Sequence, residues 1–176
     1  MRLVCVAVLL LLRTSCSSPS PAASNAASPQ AAPISVRAAA DDPLRPLELK
    51  VIALANRQRR LHGLHELAWT EGLAKQARLQ SLNMMERGFF SHIDPLRGAL
   101  SVRLKAAGIS WVRCGENIFR EKGMSDPASE AVEGWMKSPP HRESLLDPLF
   151  TQSAVGVAIS PDTEYFITQI FLRPSK

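Results

Sequence analysis

Three short polar stretches carry the residue types that metal and acid–base chemistry use: Ser91-His92-Ile93-Asp94-Pro95, Gly115-Glu116-Asn117-Ile118 and Ser138-Pro139-Pro140-His141-Arg142. Two imidazoles and a carboxylate, brought together, can ligate a divalent ion with positions left for water, or can act as general acid and base. Spacing alone does not bring them together, and each His taken singly reads as a loop or structural residue. A Ser138–His141 nucleophilic pair needs the base within hydrogen-bond reach. Residues three apart across Pro139-Pro140 need not face each other, and no nucleophile-elbow motif accompanies them, so Ser138 reads as a helix-end polar group. His62 and His65 flank Gly63 and are expected in solvent. Cys114 reads as a half-buried small apolar residue.

These stretches lie beside the ends of regular elements, where sites usually sit. Glu48 to Leu61 has helical spacing, with Leu49, Ile52 and Ala53 on the apolar face, Arg57, Arg59 and Arg60 elsewhere, and Gly63 as the stop. Thr70 and Glu71 open a second helix that runs through Leu73, Ala74, Ala77, Met84 and Met85 to Gly88. Arg97 to Ala107 reads as a shorter helix. Asp126, Pro127 and Glu130 supply the N-cap, the first-turn proline and the acidic first turn of another, which contains Val132 and Trp135 and ends at Pro139-Pro140. Ala154 to Ile159 and Tyr165 to Leu172 are strands joined through Pro161-Asp162, and Val112 to Phe119 is a third. Helices packed on a small antiparallel sheet, an α+β domain, follow from that order.

Composition sets the outer bounds. The 176 residues are 45% apolar and 21% charged, which suits one soluble globular domain. The formal charge is +5, and from Leu47 onward 17 Lys and Arg face 14 Asp and Glu without a basic block. Nucleic acid is therefore not an expected partner. Arg2 and the apolar run from Leu3 to Leu12 read as the core of a signal peptide, shorter than the roughly 20 residues that span a bilayer. Residues 1–16 are expected to be the export leader, 17–46 a Ser/Pro/Ala-rich tether and 47–176 the folded domain. Cys16 after the leader resembles the acylated cysteine of a bacterial lipoprotein, the only membrane attachment expected, although Arg13 stands where such boxes carry a small or aliphatic residue. Cleavage near Ala38-Ala39-Ala40 would instead release a soluble protein. Either outcome places the domain outside the cytoplasm, secreted or at the envelope.

From Leu47 to Leu172 the chain resembles the CAP superfamily, the SCP-like extracellular proteins that include cysteine-rich secretory proteins, pathogenesis-related proteins and venom antigens. The resemblance rests on Asn56 with Arg59 and Gly63-Leu64, Leu67-Ala68-Trp69, Ser91-His92 with Asp94-Pro95, Gly115-Glu116-Asn117-Ile118, Ala131 to Trp135, Ser138-Pro139-Pro140-His141-Arg142, Gly156-Val157-Ala158 and Thr168-Gln169. The Ser-Pro-x-His-Arg form and the shortage of cysteines resemble the bacterial branch. What the resemblance implies is a three-layer α-β-α sandwich with a groove lined by His92, His141 and Glu116. Ser138 occupies the place where many relatives have a second glutamate. Glu133 is expected at the surface or just behind the groove residues, Asn117 in a structural amide bond, Trp69 and Trp135 as core anchors, and Arg59 and Arg142 paired with carboxylates. His92 and His141 are the candidate metal ligands, for a weakly held, exchangeable divalent ion such as Zn²⁺ and no other cofactor. Two functions remain open: a binding module for a lipid, peptide or cell-wall ligand, and a hydrolase in which Glu116 or a histidine activates water.

Overall fold

The computed structural model of the chain describes residues 42–175. The leader, Cys16, the tether up to residue 41 and the alternative cleavage run lie outside them. The elements in order are α1 (Arg45–Leu61), β1 (Ala68–Trp69), α2 (Glu71–Arg87), α3 (Leu100–Ala106), β2 (Trp111–Lys122), α4 (Pro127–Lys137), α5 (Pro139–Leu146), β3 (Gln152–Ile159) and β4 (Glu164–Pro174). The sheet order is β1-β3-β4-β2. The β2–β4 and β3–β4 pairs are antiparallel, as expected, but the two-residue β1 pairs parallel with β3. The sheet is therefore mixed, and β1 is too short to read from periodicity.

Strand alternation explains the three layers. On β3, Val155 and Val157 face one way and Ala154 and Ala158 the other. On β4, Ile167 and Phe171 oppose Phe166, Ile170 and Leu172. The first set joins Val51, Ile52 and Ala55 of α1, Val132 and Trp135 of α4 and Leu145 of α5. The second set meets Leu73, Ala74, Ala77 and Met84 of α2 and Leu104 of α3. One layer is thus α1, α4 and α5, the middle is the sheet, and the other layer is α2 and α3, which is the expected sandwich. Gly156 lies on the α2 face, where a Cβ would meet backbone atoms of Ala77 and Arg78, so only glycine permits this approach.

Several boundaries and one helix face differ from expectation. The first helix begins at Arg45, with Pro46 in its first turn, inside the stretch assigned to the tether. Its buried face is Glu48, Val51, Ile52, Ala55, Asn56 and Arg59, while Leu49 and Ala53 are exposed. The apolar pattern misplaces that face because two of its positions are charged residues with internal partners. Glu48 accepts from Arg78 at 2.7 and 2.5 Å. Arg59 donates to the carbonyls of His65, Leu145, Asp147 and Phe150 rather than pairing with a carboxylate through these bonds. The third helix starts at Leu100 rather than Arg97, because Asp94 organises the preceding turn by accepting from the N–H groups of Leu96 and Arg97. Pro139-Pro140 ends α4 but also opens α5, which was not expected. Proline suits the first turn of a helix, where its missing N–H would have no partner. The other boundaries follow their signals: Gly88 adopts φ +66 at the end of α2, and the Asp126 carboxylate caps α4 through Ser129 N.

Candidate functional site

The candidate site is assembled around β2, an edge strand of the sheet. Alternation along β2 sends Glu116 toward the α2/α3 layer and Asn117 toward the α4/α5 layer. His92 enters from the loop after α2. Gln80 of α2 donates to Ser91 O at 2.9 Å and Asn83 donates to Asp94 Oδ2 at 2.7 Å, which fixes the loop on both sides of the imidazole. His141 enters from the opposite layer as the third residue of α5. Its carbonyl accepts from Asn117 Nδ2 at 3.0 Å, the structural amide bond expected of that residue. The two rings approach to 6.5 Å between centroids with planes 40° apart. His92, Glu116 and His141, widely separated in sequence, therefore converge.

Glu116 is enclosed, with its side chain only 3% exposed. Its Oε1 lies 3.0 Å from His92 Nδ1, and its Oε2 accepts from Arg103 Nη2 at 2.7 Å. Arg103 is wholly buried and also donates to His92 O at 3.3 Å. The carboxylate thus has a cation on one oxygen and an imidazole on the other, an arrangement that orients the ring. His92 itself is half exposed, at 51% of its side chain. His141 is partly buried, and its Nδ1 lies 2.8 Å from Ser138 Oγ. Burial pushes the His141 pKa below the ordinary 6.5, and the charge of His92 pushes in the same direction.

Ser138 is the helix-end polar group expected, and it also faces His141, which the spacing alone did not require. The α4–α5 junction brings this about: Ser138 is both the last cap of α4 and the first of α5, and a helical turn places its hydroxyl beside the third residue. Glu133 points away, 65% exposed and bound to Lys137. His62 and His65 are exposed as expected, but Arg142 contacts His62 Nε2 at 2.9 Å rather than a carboxylate in that bond. Trp135 is a core anchor whose indole donates to Ile118 O, while Trp69 is only partly buried and stacks under Arg45. Cys114 is half-buried, and burial raises its thiol pKa.

Sequence reasoning missed Arg103, the residue that holds Glu116. Its signal was present: Leu100, Arg103, Leu104 and Ala107 fall on one helical stripe, and an arginine in an apolar stripe needs an internal partner.

The donor set limits what kind of metal site these residues can form. Each Nδ1 is already occupied, by Glu116 on His92 and by Ser138 on His141, so each ring retains Nε2. Among the described residues no group of three His, Cys, Asp or Glu could hold a metal ion. Two imidazole nitrogens fall short of the four protein ligands that a structural zinc site takes.

A three-layer sandwich with paired imidazoles over its edge strand defines the class of domain. The chain belongs to the cysteine-rich secretory protein family, CAP, whose model matches residues 52–171. Among curated relatives, the Bacillus subtilis protein YkwD is 39% identical over 122 residues, 68% of this chain and 46% of YkwD. The Bacillus subtilis membrane protein YlbC is 36% identical over 126 residues, 72% of this chain and 34% of YlbC. The chain thus spans less than half the length of these two relatives. An extracellular protein containing an SCP domain from Bacillus anthracis matches with a TM-score of 0.63 and 33% identity, over 73% of this chain and 41% of that one. An outer surface protein of Borrelia burgdorferi shares the fold at a TM-score of 0.68 and 16% identity, over 75% of this chain and 96% of that one. This is a CAP domain of bacterial type.

Proposed function

We propose that the domain works outside the cytoplasm as a ligand-binding module at the cell envelope. The groove of His92, Glu116 and His141 contacts a lipid, peptide or wall-derived ligand, helped by a weakly held divalent cation such as Zn²⁺. The observation that carries this reading is the state of Glu116. A general base needs a free oxygen in reach of water, whereas both oxygens of Glu116 are engaged and the side chain is enclosed. Its work is to fix the tautomer and angle of His92, which leaves Nε2 of each ring for a ligand or an ion. A cation there supplies a Lewis-acidic contact for a ligand oxygen. Export is supported by the apolar leader and by the extracellular and membrane relatives.

The test is Glu116→Gln in the full chain, followed by histidine side-chain NMR during a Zn²⁺ titration. The parent should show a saturable shift confined to His92 and His141. The amide, unable to hold the His92 N–H as a carboxylate does, should weaken metal affinity by about 10- to 100-fold. Zn²⁺ shifts spread evenly over all four histidines, or absent from the pair, would defeat the metal part of the reading.

One contact favours hydrolysis instead: Ser138 Oγ at 2.8 Å from His141 Nδ1. Turnover of a peptide or peptidoglycan panel that falls at least about 100-fold in Ser138→Ala would establish it. No turnover by the parent would leave binding as the function.

A further inference from the structure

Beside Arg103, α2 and α3 flank a partly open hollow of about 350 Å³, lined by Lys75, Gln76, Arg97 and Arg103 with Ala107 and Ile109 among its apolar walls. Its lining holds three cations and no carboxylate. Arg103 is 0% exposed, and only its Nη2 has protein partners, Glu116 and the His92 carbonyl. Its Nε and Nη1 are buried with no hydrogen-bond partner among the described residues. Arg97 is in a similar state: Nη2 donates to Gln76 Oε1 at 2.5 Å, while Nη1 is buried and unpartnered. Asp94 lies near Arg97, yet its oxygens already accept from Leu96 N, Arg97 N and Asn83.

We propose that this hollow is a binding site for a small oxyanion, a carboxylate or a phosphate group on a compact molecule, gripped by Arg97 and Arg103 with Lys75 at the rim. Planar guanidinium groups match both anions through paired N–H donors. Buried charged donors without partners are costly, and an oxyanion between the two guanidinium groups would take Arg97 Nη1 together with one of the two open donors of Arg103. Burial lowers the Arg97 pKa, and the Arg103 charge lowers it further, so the two guanidinium groups repel across a space an anion would neutralise. The volume exceeds that of a bare ion and leaves room for a small organic substituent. The unpartnered nitrogens are shielded from bulk solvent, so entry involves a rotamer change, for which Arg97 is suited by its single side-chain bond to Gln76. Because Arg103 touches this hollow on one side and Glu116 on the other, occupancy is transmitted to His92.

The test uses the full chain and the arginine Nε–H NMR signals, titrated separately with sodium phosphate and sodium succinate against sodium chloride at matched ionic strength. Either oxyanion should give a saturable shift at Arg97 and Arg103, with a smaller one at His92. Saturation by phosphate alone assigns a phosphate group, and by succinate alone a carboxylate. Arg97→Gln should weaken affinity about tenfold and Lys75→Gln about threefold, as expected for a partly buried and an exposed charge contact. Arg103 also supports Glu116, so its replacement would test the fold as much as the hollow. The exposed Lys75 keeps the test open should the Arg97 variant fold poorly. No saturable shift with either oxyanion, an equal response to chloride, or unchanged affinity in both variants would overturn the assignment.

Discussion

Replacing Gly156 by alanine tests the packing that sets the groove. A methyl group built there lies 2.5 Å from Arg78 Cα and closer still to Arg78 N and Ala77 C. Ordinary contact begins at 3.4 Å and the nearest atom, Arg78 N, lies at 2.0 Å, so α2 must retreat from β3 by roughly 1.4 Å. Overpacking usually costs about 1–3 kcal/mol; here the opposing atoms are backbone and have no rotamer to change, so about 3 kcal/mol or more is expected. For a domain of this size that is a fall in Tm of about 10 °C, read by calorimetry. The retreat also strains Ser81 Oγ, which bonds Gly156 O and Thr168 Oγ1, each at 2.9 Å. Gln80 and Asn83 on the same helix then shift the His92 loop, so His92 NMR signals should move more than those of the exposed His65. Gly88→Ala is the control: no atom lies within 4 Å of the added Cβ, and only the φ of +66 opposes it, a penalty of about 1 kcal/mol. A Gly156→Ala protein melting within about 3 °C of the parent would refute the close-approach reasoning.

Three further outcomes are expected. Asp126→Ala removes the α4 cap at Ser129 N and should cost about 1 kcal/mol in a urea melt. Arg59→Met leaves the carbonyls of His65, Leu145, Asp147 and Phe150 without their shared donor, so a loss of about 3 kcal/mol or more is expected by the same measurement. The depressed pKa of His141 means that the unfolded chain takes up this proton first on acidification. Its contribution is therefore complete above the ordinary 6.5 and is lost as pH falls from there through the lower folded value. His141→Asn should flatten that part of the Tm–pH curve, and an unchanged slope would count against the burial of this ring.

What was legible in the sequence followed the apolar period and the caps. The strands around Gly156 and Thr168 show as runs rich in Val, Ile, Phe and Tyr on either side of Pro161-Asp162, and Asp126-Pro127 announces α4 without ambiguity. What was not legible rests on polar residues with internal partners. Glu48 and Arg59 turned the buried face of α1 away from its apolar pattern, and Asp94 held back the start of α3. Pro139-Pro140 carries two opposite messages, stop and start, and only the hydroxyl of Ser138 meeting His141 shows that both apply. The groove residues themselves were named from motifs, but Arg103, which gives Glu116 its state, sits in a segment whose pattern says only helix.

The sheet order β1-β3-β4-β2 has a consequence for how the molecule comes into being. The strand that joins β2 to the rest of the sheet, β4, is made after both of the strands it joins, so a nascent chain halted before Glu164 leaves β2 without a partner and β3 with only the two-residue β1. Local helices can flicker during synthesis, but the native topology waits for distant pairings that reward the chain only late. Such a polypeptide cannot complete its sheet until β4 has been made.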